Sequence, residues 1–211
     1  MLIALKLILT PLIMTAASLA GRRWGDAIAG WLTGLPVVSG PVSVYLALEH
    51  GDRFAALAAA GSVSGVVSQA AFCIAYSLVA PRGWSTAALA ATLAYVGMAA
   101  MTIPFAPPLL GLIGLAAAAL VVARLFLPAD MRSLARVSAP RWDIPLRAAV
   151  ATLLVMAVTT FAAEMGPRIS GVTASYPVIT GSIAVFAHRA QGPQAAVAAL
   201  RGMTTALFGF M

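Results

Sequence analysis

The sequence predicts an all-α polytopic membrane protein of about eight transmembrane helices, arranged as an inverted-topology repeat with two broken helices. Three observations predict it. Of 211 residues, 62% are hydrophobic and 9% charged, and mean hydropathy is +0.98. Soluble domains carry about 25% charged residues, so most side chains here face lipid or one another. Apolar segments near the ~20 residues of a spanning helix follow one another along the whole chain. Two of them carry Gly and Pro at their centres: Thr33-Gly34-Leu35-Pro36-Val37-Val38-Ser39-Gly40-Pro41 and Ala174-Ser175-Tyr176-Pro177-Val178-Ile179-Thr180-Gly181-Ser182. Broken backbone survives at membrane depth only inside protein or beside a water-filled cavity.

The eight segments come in order. Helix 1 is Leu2 to Ala20, closed by the polar turn Gly21 to Asp26. Helix 2, broken at Pro36, is Ala27 to Leu48. Glu49 to Arg53 leads into helix 3, Phe54 to Ala80, whose Ser62, Ser64, Ser68 and Gln69 mark a face packed inside the bundle. Helix 4 runs from Thr86 to Ile103 and helix 5 from Leu109 to Leu127, joined by the apolar, proline-rich stretch Pro104 to Pro108. Ala129 to Asp143 is a basic loop with Arg132, Arg136 and Arg141. Helix 6 is Ile144 to Ala163. Helix 7, broken at Pro177, is Ile169 to Ala187. Helix 8 is Pro193 to Met211, with Pro193 suited to a helix start.

The net charge of +7 does not point to nucleic acid. The basic residues sit in short loops between apolar runs, where membrane topology puts them. The loops richer in arginine predict the cytoplasmic side, which leaves both termini external for eight spans. The single cysteine, Cys73, lies in an apolar run and permits neither an internal disulfide nor a cysteine metal site. Lys6 lies inside the first apolar run rather than before it, which argues against a signal peptide.

A shift of 141 residues brings the broken segments into register. Gly25, Gly30, Gly40, Gly51 and Gly61 meet Gly166, Gly171, Gly181, Gly192 and Gly202; Pro36 meets Pro177, Ser39 meets Thr180, and Lys6 meets Arg147. Glycine and proline mark backbone geometry rather than general apolarity, so their coincidence has weight. The offset spans five helices, an odd number, so the second copy is expected upside down relative to the first, as in many secondary transporters. The units are then 1–128 (repeat 1), 129–143 (cytoplasmic loop) and 144–211 (repeat 2, three helices). Repeat 2 lacks counterparts of helices 4 and 5. Further chain, a homodimer mate or a partner subunit is expected to cover the gap.

Gly21-Arg22-Arg23-Trp24-Gly25, Gly30-Trp31-Leu32-Thr33-Gly34-Leu35-Pro36 with Ser39-Gly40-Pro41, and Phe186-Ala187-His188-Arg189-Ala190-Gln191-Gly192-Pro193 together resemble a family of bacterial polytopic inner-membrane proteins with no assigned activity. The resemblance implies a multi-pass protein of the bacterial inner membrane and little else. The architecture is similar, in principle only, to inverted-repeat carriers of the bile-acid symporter and auxin-efflux kinds. Their broken helix comes fourth in each repeat rather than second.

A proline break exposes the N-terminus of the following half-helix, with free N–H groups and a positive dipole end. Two such ends meeting at mid-membrane favour an anion or a polar, carbonyl-bearing solute. The expected substrate-binding set is Thr33, Pro36, Ser39, Gly40 and Ser43 from one copy, with Thr173, Ser175, Tyr176, Pro177, Thr180, Gly181 and Ser182 from the other. Each hydroxyl has a competing use, bonding a carbonyl of its own helix. Arg201, about two turns inside helix 8, joins the set as an intramembrane charge; its competing use is to bond a carbonyl of a neighbouring helix. Lys6 and Arg147 lie close to helix starts and are expected to snorkel. His188, Glu49 and His50 are candidates for a proton relay, against a plainer role as helix-end caps.

All six acids lie in or beside loops, which argues against a usual cation/proton exchanger. No metalloprotease, P-loop or serine-hydrolase motif is present and no cofactor is expected, which argues against an enzyme. The expected function is secondary transport, export included, of a small polar or anionic solute. A channel or passive pore, and a non-transporting subunit that scaffolds a partner protein, are the competing classes.

Overall fold

The computed structural model describes residues 2–24, 39–105, 107–128 and 143–209. Among them lie nine α-helices, one 3-10 turn and no strand. The helices are α1 (Leu2–Trp24), α2 (Ser39–His50), α3 (Asp52–Val79), α4 (Trp84–Thr102), α5 (Leu109–Phe126), α6 (Asp143–Thr160), α7 (Ala162–Ala174), α8 (Val178–Gln191) and α9 (Pro193–Leu207). The 3-10 turn Ala80–Arg82 joins α3 to α4. The fold is all-α. Residues 52–82, 84–102 and 109–126 are each long and apolar enough to cross a bilayer. The bent pair α7–α8 makes a fourth if it counts as one span.

The described part of the predicted helix 2 is α2, its second half; Thr33 and Pro36 lie outside the described residues. Helix 7 differs in its start. α6 and α7 nearly abut at Phe161, and the turn falls later, at Gly166 (φ 76°, ψ 166°), where the helical conformation is interrupted. Pro167 follows it, and a fixed φ with no N–H suits the first position of a restarted helix.

α3 packs against α2, α4, α5, α7 and α9. Small residues make this possible. A Cβ on Gly171 would collide with the carbonyl of Ala58, and one on Gly65 with the Ser175 hydroxyl. A Cβ on Gly61 would lie 2.5 Å from the Arg168 carbonyl. The backbones of α3 and α7 therefore run in direct contact where Gly61 meets Arg168 and Gly171 meets Ala58, while Gly65 leaves room for the Ser175 side chain, the usual use of small residues at a membrane helix interface. The contacts ascend both elements together: Ala58 and Ser62 meet Gly171, Gly65 meets Ser175, Phe72 faces Gly181, and Tyr76 meets His188. α7 and α8 thus run parallel to α3.

One apolar cluster is built on α3, α4, α5 and α9, around Val66, Tyr76, Leu120 and Leu200. A second joins Val42, Tyr45 and Leu46 of α2 to α6, and reaches Ala174 and Ile179 on either side of the α7–α8 break. α1 packs on α6.

The two segments aligned by the 141-residue shift share a local geometry. α2 ends at His50 and α3 begins at Asp52, with Gly51 between them at φ 85° and ψ 167°. α8 ends at Gln191 and α9 begins at Pro193, with Gly192 between them at φ 90° and ψ −178°. This conformation is essentially confined to glycine.

Candidate functional site

The break between α7 and α8 spans Ser175 to Pro177. Ser175 leaves the helical region (φ −88°, ψ 3°) and Pro177 takes φ −79° and ψ 61°. Those angles, with the Val178 amide donating to the Tyr176 carbonyl at 2.8 Å, form an inverse γ-turn. The helix axis bends by 42° across it. The cause is local: proline cannot donate to the preceding turn and disfavours helical backbone in the residue before it.

The broken backbone is satisfied by side chains from α3 and α4. Gln69 Nε2 donates to the Ser175 carbonyl. The Tyr95 hydroxyl donates to the Val172 carbonyl at 2.6 Å and lies 3.1 Å from Ser175 Oγ. Ser175 Oγ also donates to Val172 O at 2.7 Å, and Ser62 Oγ donates to Gly171 O at 3.0 Å. The Tyr176 hydroxyl pairs with Thr92 Oγ1 at 2.8 Å, and its ring sits edge-on to Phe72 and Tyr95, with centroids 6.1 and 5.1 Å away. The predicted polar face of α3 is therefore buried, with Ser62, Ser64, Ser68 and Gln69 all inside. Ser64 Oγ, Ser68 Oγ and Gln69 Oε1 have no hydrogen-bond partner among the described residues.

Two cavities flank this layer. One, of about 210 Å³, is lined by Gly61 and Ser64 of α3, Thr102 of α4, Leu112 of α5, and Arg168 and Val172 of α7. The other, of about 350 Å³, is lined by Phe72, Thr92, Tyr176, Pro177, Gly181 and Ser182, among others, with apolar walls from α6 and α8. Ser64 and Phe72 are eight residues apart on α3, and Thr102 and Thr92 ten apart on α4. At 1.5 Å per residue the cavities are offset by about 12–15 Å along the bundle. Gln69, Tyr95 and Ser175 lie between.

The expected substrate-binding residues divide. Ser175, Tyr176, Pro177, Gly181 and Ser182 gather at the break, the last four lining the larger cavity. Ser182 Oγ also bonds its own helix, at Ile179 O, 2.7 Å. Thr180 is buried in the first turn of α8. Thr173 lines neither cavity, and its carbonyl accepts from the Tyr176 amide at 3.1 Å. On α2, Ser43 Oγ donates to Ser39 O at 2.9 Å, the local use open to any helical serine. Ser39 is buried, and Gly40 follows it in the first turn of α2.

Arg201 is a correction. It lines neither cavity and instead bonds the carbonyls of Leu127 and Arg124 (the latter at 3.5 Å), capping the C-terminus of α5. A guanidinium belongs there on dipole grounds, since the last carbonyls of a helix are unpaired and partly negative. Lys6 is a second correction. It does not snorkel: it is buried and bonds both carboxylate oxygens of Glu49 at 2.6 and 2.7 Å, with its ammonium 5.7 Å from the Tyr45 ring centre. The three proton-relay candidates are not brought together. The His50 ring lies 4.7 Å from Phe54, whereas His188 Nδ1 pairs with the Tyr76 hydroxyl at 3.2 Å. Phe54 and Tyr76 stand 22 residues apart on α3, so the two histidines are about 33 Å apart along the bundle. Glu49 is engaged by Lys6.

Compared with family models, curated proteins and solved structures, the chain matches none. The reading of the site rests on its geometry. Sequence reasoning missed Thr92 and Tyr95 as its floor. Their signal was faint: two hydroxyls three residues apart, on one side of an otherwise alanine-rich helix.

Proposed function

We propose that this chain is a secondary transporter of a small polar or anionic solute across the bacterial inner membrane, with export as one possible direction. The proposal includes an eight-span inverted repeat and a site where broken helices 2 and 7 cross. One observation carries it: the α7–α8 break lies between two cavities offset along the bundle and is held by neutral, exchangeable hydrogen bonds from Gln69, Thr92 and Tyr95. A span built only for support would need no break there. A break costs backbone hydrogen bonds that other helices must replace; breaks are tolerated inside protein or beside a water-filled cavity, and in many transporters they form the solute site.

Two further facts support the reading. Gly51 and Gly192, which the 141-residue register pairs, are both one-residue joints between consecutive helices; Gly83 and Gly166 share their backbone region, so the pairing in the register, not the conformation, is the support. The shared cluster of α2, α6, α7 and α8 brings the second half of helix 2 beside the break in helix 7. The likeness to bacterial inner-membrane proteins gives the proposed location. A homodimer mate or a partner subunit is proposed to cover the shorter repeat.

The test is a thermal-shift screen of purified protein against metabolite anions and neutral polar solutes, followed by uptake of each hit into proteoliposomes. Saturable, gradient-dependent uptake is expected. Non-saturable flux would make the protein a pore. A stoichiometric second chain in the purified material, with no flux, would make it a scaffolding subunit.

A further inference from the structure

We infer that the anion-recognising group of this protein is Arg168, acting with Ser64 in the 210 Å³ cavity, and that the ligand is a small anion with an apolar body. The role assigned to this site rests on the transport reading; binding itself does not.

The charged groups with other engagements come first. Lys6 is neutralised by Glu49, Arg201 caps α5, Arg124 donates to Thr205 at 2.5 Å, and Arg189 lies over the Trp84 ring at 5.3 Å. Arg168 is different. It is half-buried, it lines the cavity, and it makes no hydrogen bond or ion pair with any described side chain. Among the described residues no acid lines that cavity, so the guanidinium is locally uncompensated.

Its placement is fixed. The absence of a side chain at Gly61 lets α3 press onto the Arg168 carbonyl, which anchors the backbone of the arginine at the cavity wall. Ser64, three residues further along α3, lines the same cavity; it is 6% exposed and its hydroxyl lacks a partner. A buried hydroxyl without a partner is unfavourable, and a rotation of the Ser64 side chain toward the cavity would let an anion's oxygen satisfy it. The remaining walls, Leu57, Leu109 and Leu112 among them, are apolar. They weaken solvent screening of the guanidinium and accommodate a hydrocarbon body. Pockets for drug-sized ligands run to ~300–1,000 Å³, so about 210 Å³ selects a smaller solute. The donor set, one guanidinium and one hydroxyl, suits a single carboxylate or phosphate. The same chemistry is offered by a free organic anion and by an anionic lipid headgroup.

The experiment measures thermal unfolding of the purified protein in neutral detergent with straight-chain monocarboxylates, acetate to hexanoate, and with alcohols of matching length. A parallel arm uses nanodiscs of phosphatidylglycerol against phosphatidylcholine. Carboxylates are expected to raise the midpoint, more with chain length up to a limit, and alcohols to raise it far less. R168A should lose at least tenfold in apparent affinity, R168K should retain part of it, and S64A should lose less than R168A. R53Q removes one positive charge outside both cavities and should bind as the parent does. A shift confined to phosphatidylglycerol and lost in R168A identifies the source as lipid and upholds the site. Binding that is the same in R168A and the parent, or no Arg168-dependent shift in either arm, overturns it. R168K keeps the charge and serves as the folded reference if R168A does not fold. Binding that persists without proteoliposome flux overturns the transport reading and leaves this one standing.

Discussion

The hydroxyl of Tyr95 donates a 2.6 Å hydrogen bond to the backbone carbonyl of Val172. That carbonyl belongs to the last turn of α7, where the helix stops and it accepts only a 3.1 Å bond from the Ser175 amide along the backbone. A side chain on α4 thus completes the backbone of a helix some eighty residues away. Tyr95→Phe keeps the ring and removes the donor. It should lower stability by about 0.5–1.5 kcal/mol, the usual net worth of one hydrogen bond, because the Val172 carbonyl keeps the Ser175 hydroxyl and the Ser175 amide as donors; the readout is a lower thermal midpoint in detergent. Tyr95→Phe should also reduce any measured transport more than Thr92→Val does. An unchanged midpoint would mean that the Ser175 hydroxyl, already 2.7 Å from the same carbonyl, is a sufficient partner.

Glycines in this bundle differ sharply in what an added methyl would meet. Gly171→Ala drives a Cβ into the Ala58 carbonyl, and backbone cannot yield as a side chain can. Loss of several kcal/mol, and of monodisperse protein on size exclusion, is expected, in line with overpacking at a tight interface. Gly97→Ala meets nothing within 4 Å in the middle of α4. It should be neutral or stabilise by about 0.5–1 kcal/mol through helix propensity. Equal behaviour of the two variants would refute the close α3–α7 packing.

The outline of this fold was legible because its signals are local. Apolar runs marked the helices, three or four of which are long and apolar enough to cross a bilayer, and α4 and α5 begin and end within about two residues of their expected limits. Pro177 marked the break, and the serine-rich face of α3 marked what lies inside. The partners of these features were not legible. Nothing in the spacing of Thr92 and Tyr95 ties them to Tyr176 and Ser175, because pairing across helices depends on rotation and depth, which hydropathy does not encode. Lys6 was misjudged for the same reason. A lysine near a helix end is usually near water, yet here a carboxylate forty-three residues away removes the need for it. Arg201 was visible as a charge inside an apolar segment, but the α5 terminus that it caps follows only from the packing of α9.

Gly51 and Gly192 should behave as equivalents. Alanine at either would be held in a backbone region that costs a residue with a Cβ about 1–3 kcal/mol, although nothing within 4 Å blocks the methyl itself. Chemical denaturation of Gly51→Ala and Gly192→Ala should therefore show losses of similar size. If one loses stability and the other does not, the local likeness of the two segments has no energetic counterpart.

The Lys6–Glu49 pair offers a separate test. Lys6→Met strands a carboxylate, and Glu49→Gln strands an almost fully buried ammonium. Breaking a buried pair costs ~3–5 kcal/mol, and less is expected here because the Glu49 side chain keeps 22% of its exposure. Glu49→Gln should be the worse of the two singles. The double variant Lys6→Met with Glu49→Leu should recover most of the loss in thermal midpoint. Additive losses would show that the two charges act independently.

The one-residue joints have a mechanical consequence. A linker of several residues lets one helix slide while its neighbour stays put; a single glycine does not. Between α8 and α9 only Gly192 can absorb rotation, so any change in the angle between these helices must be taken up in that residue's two dihedrals. α9 carries Arg201, and Arg201 grips the end of α5.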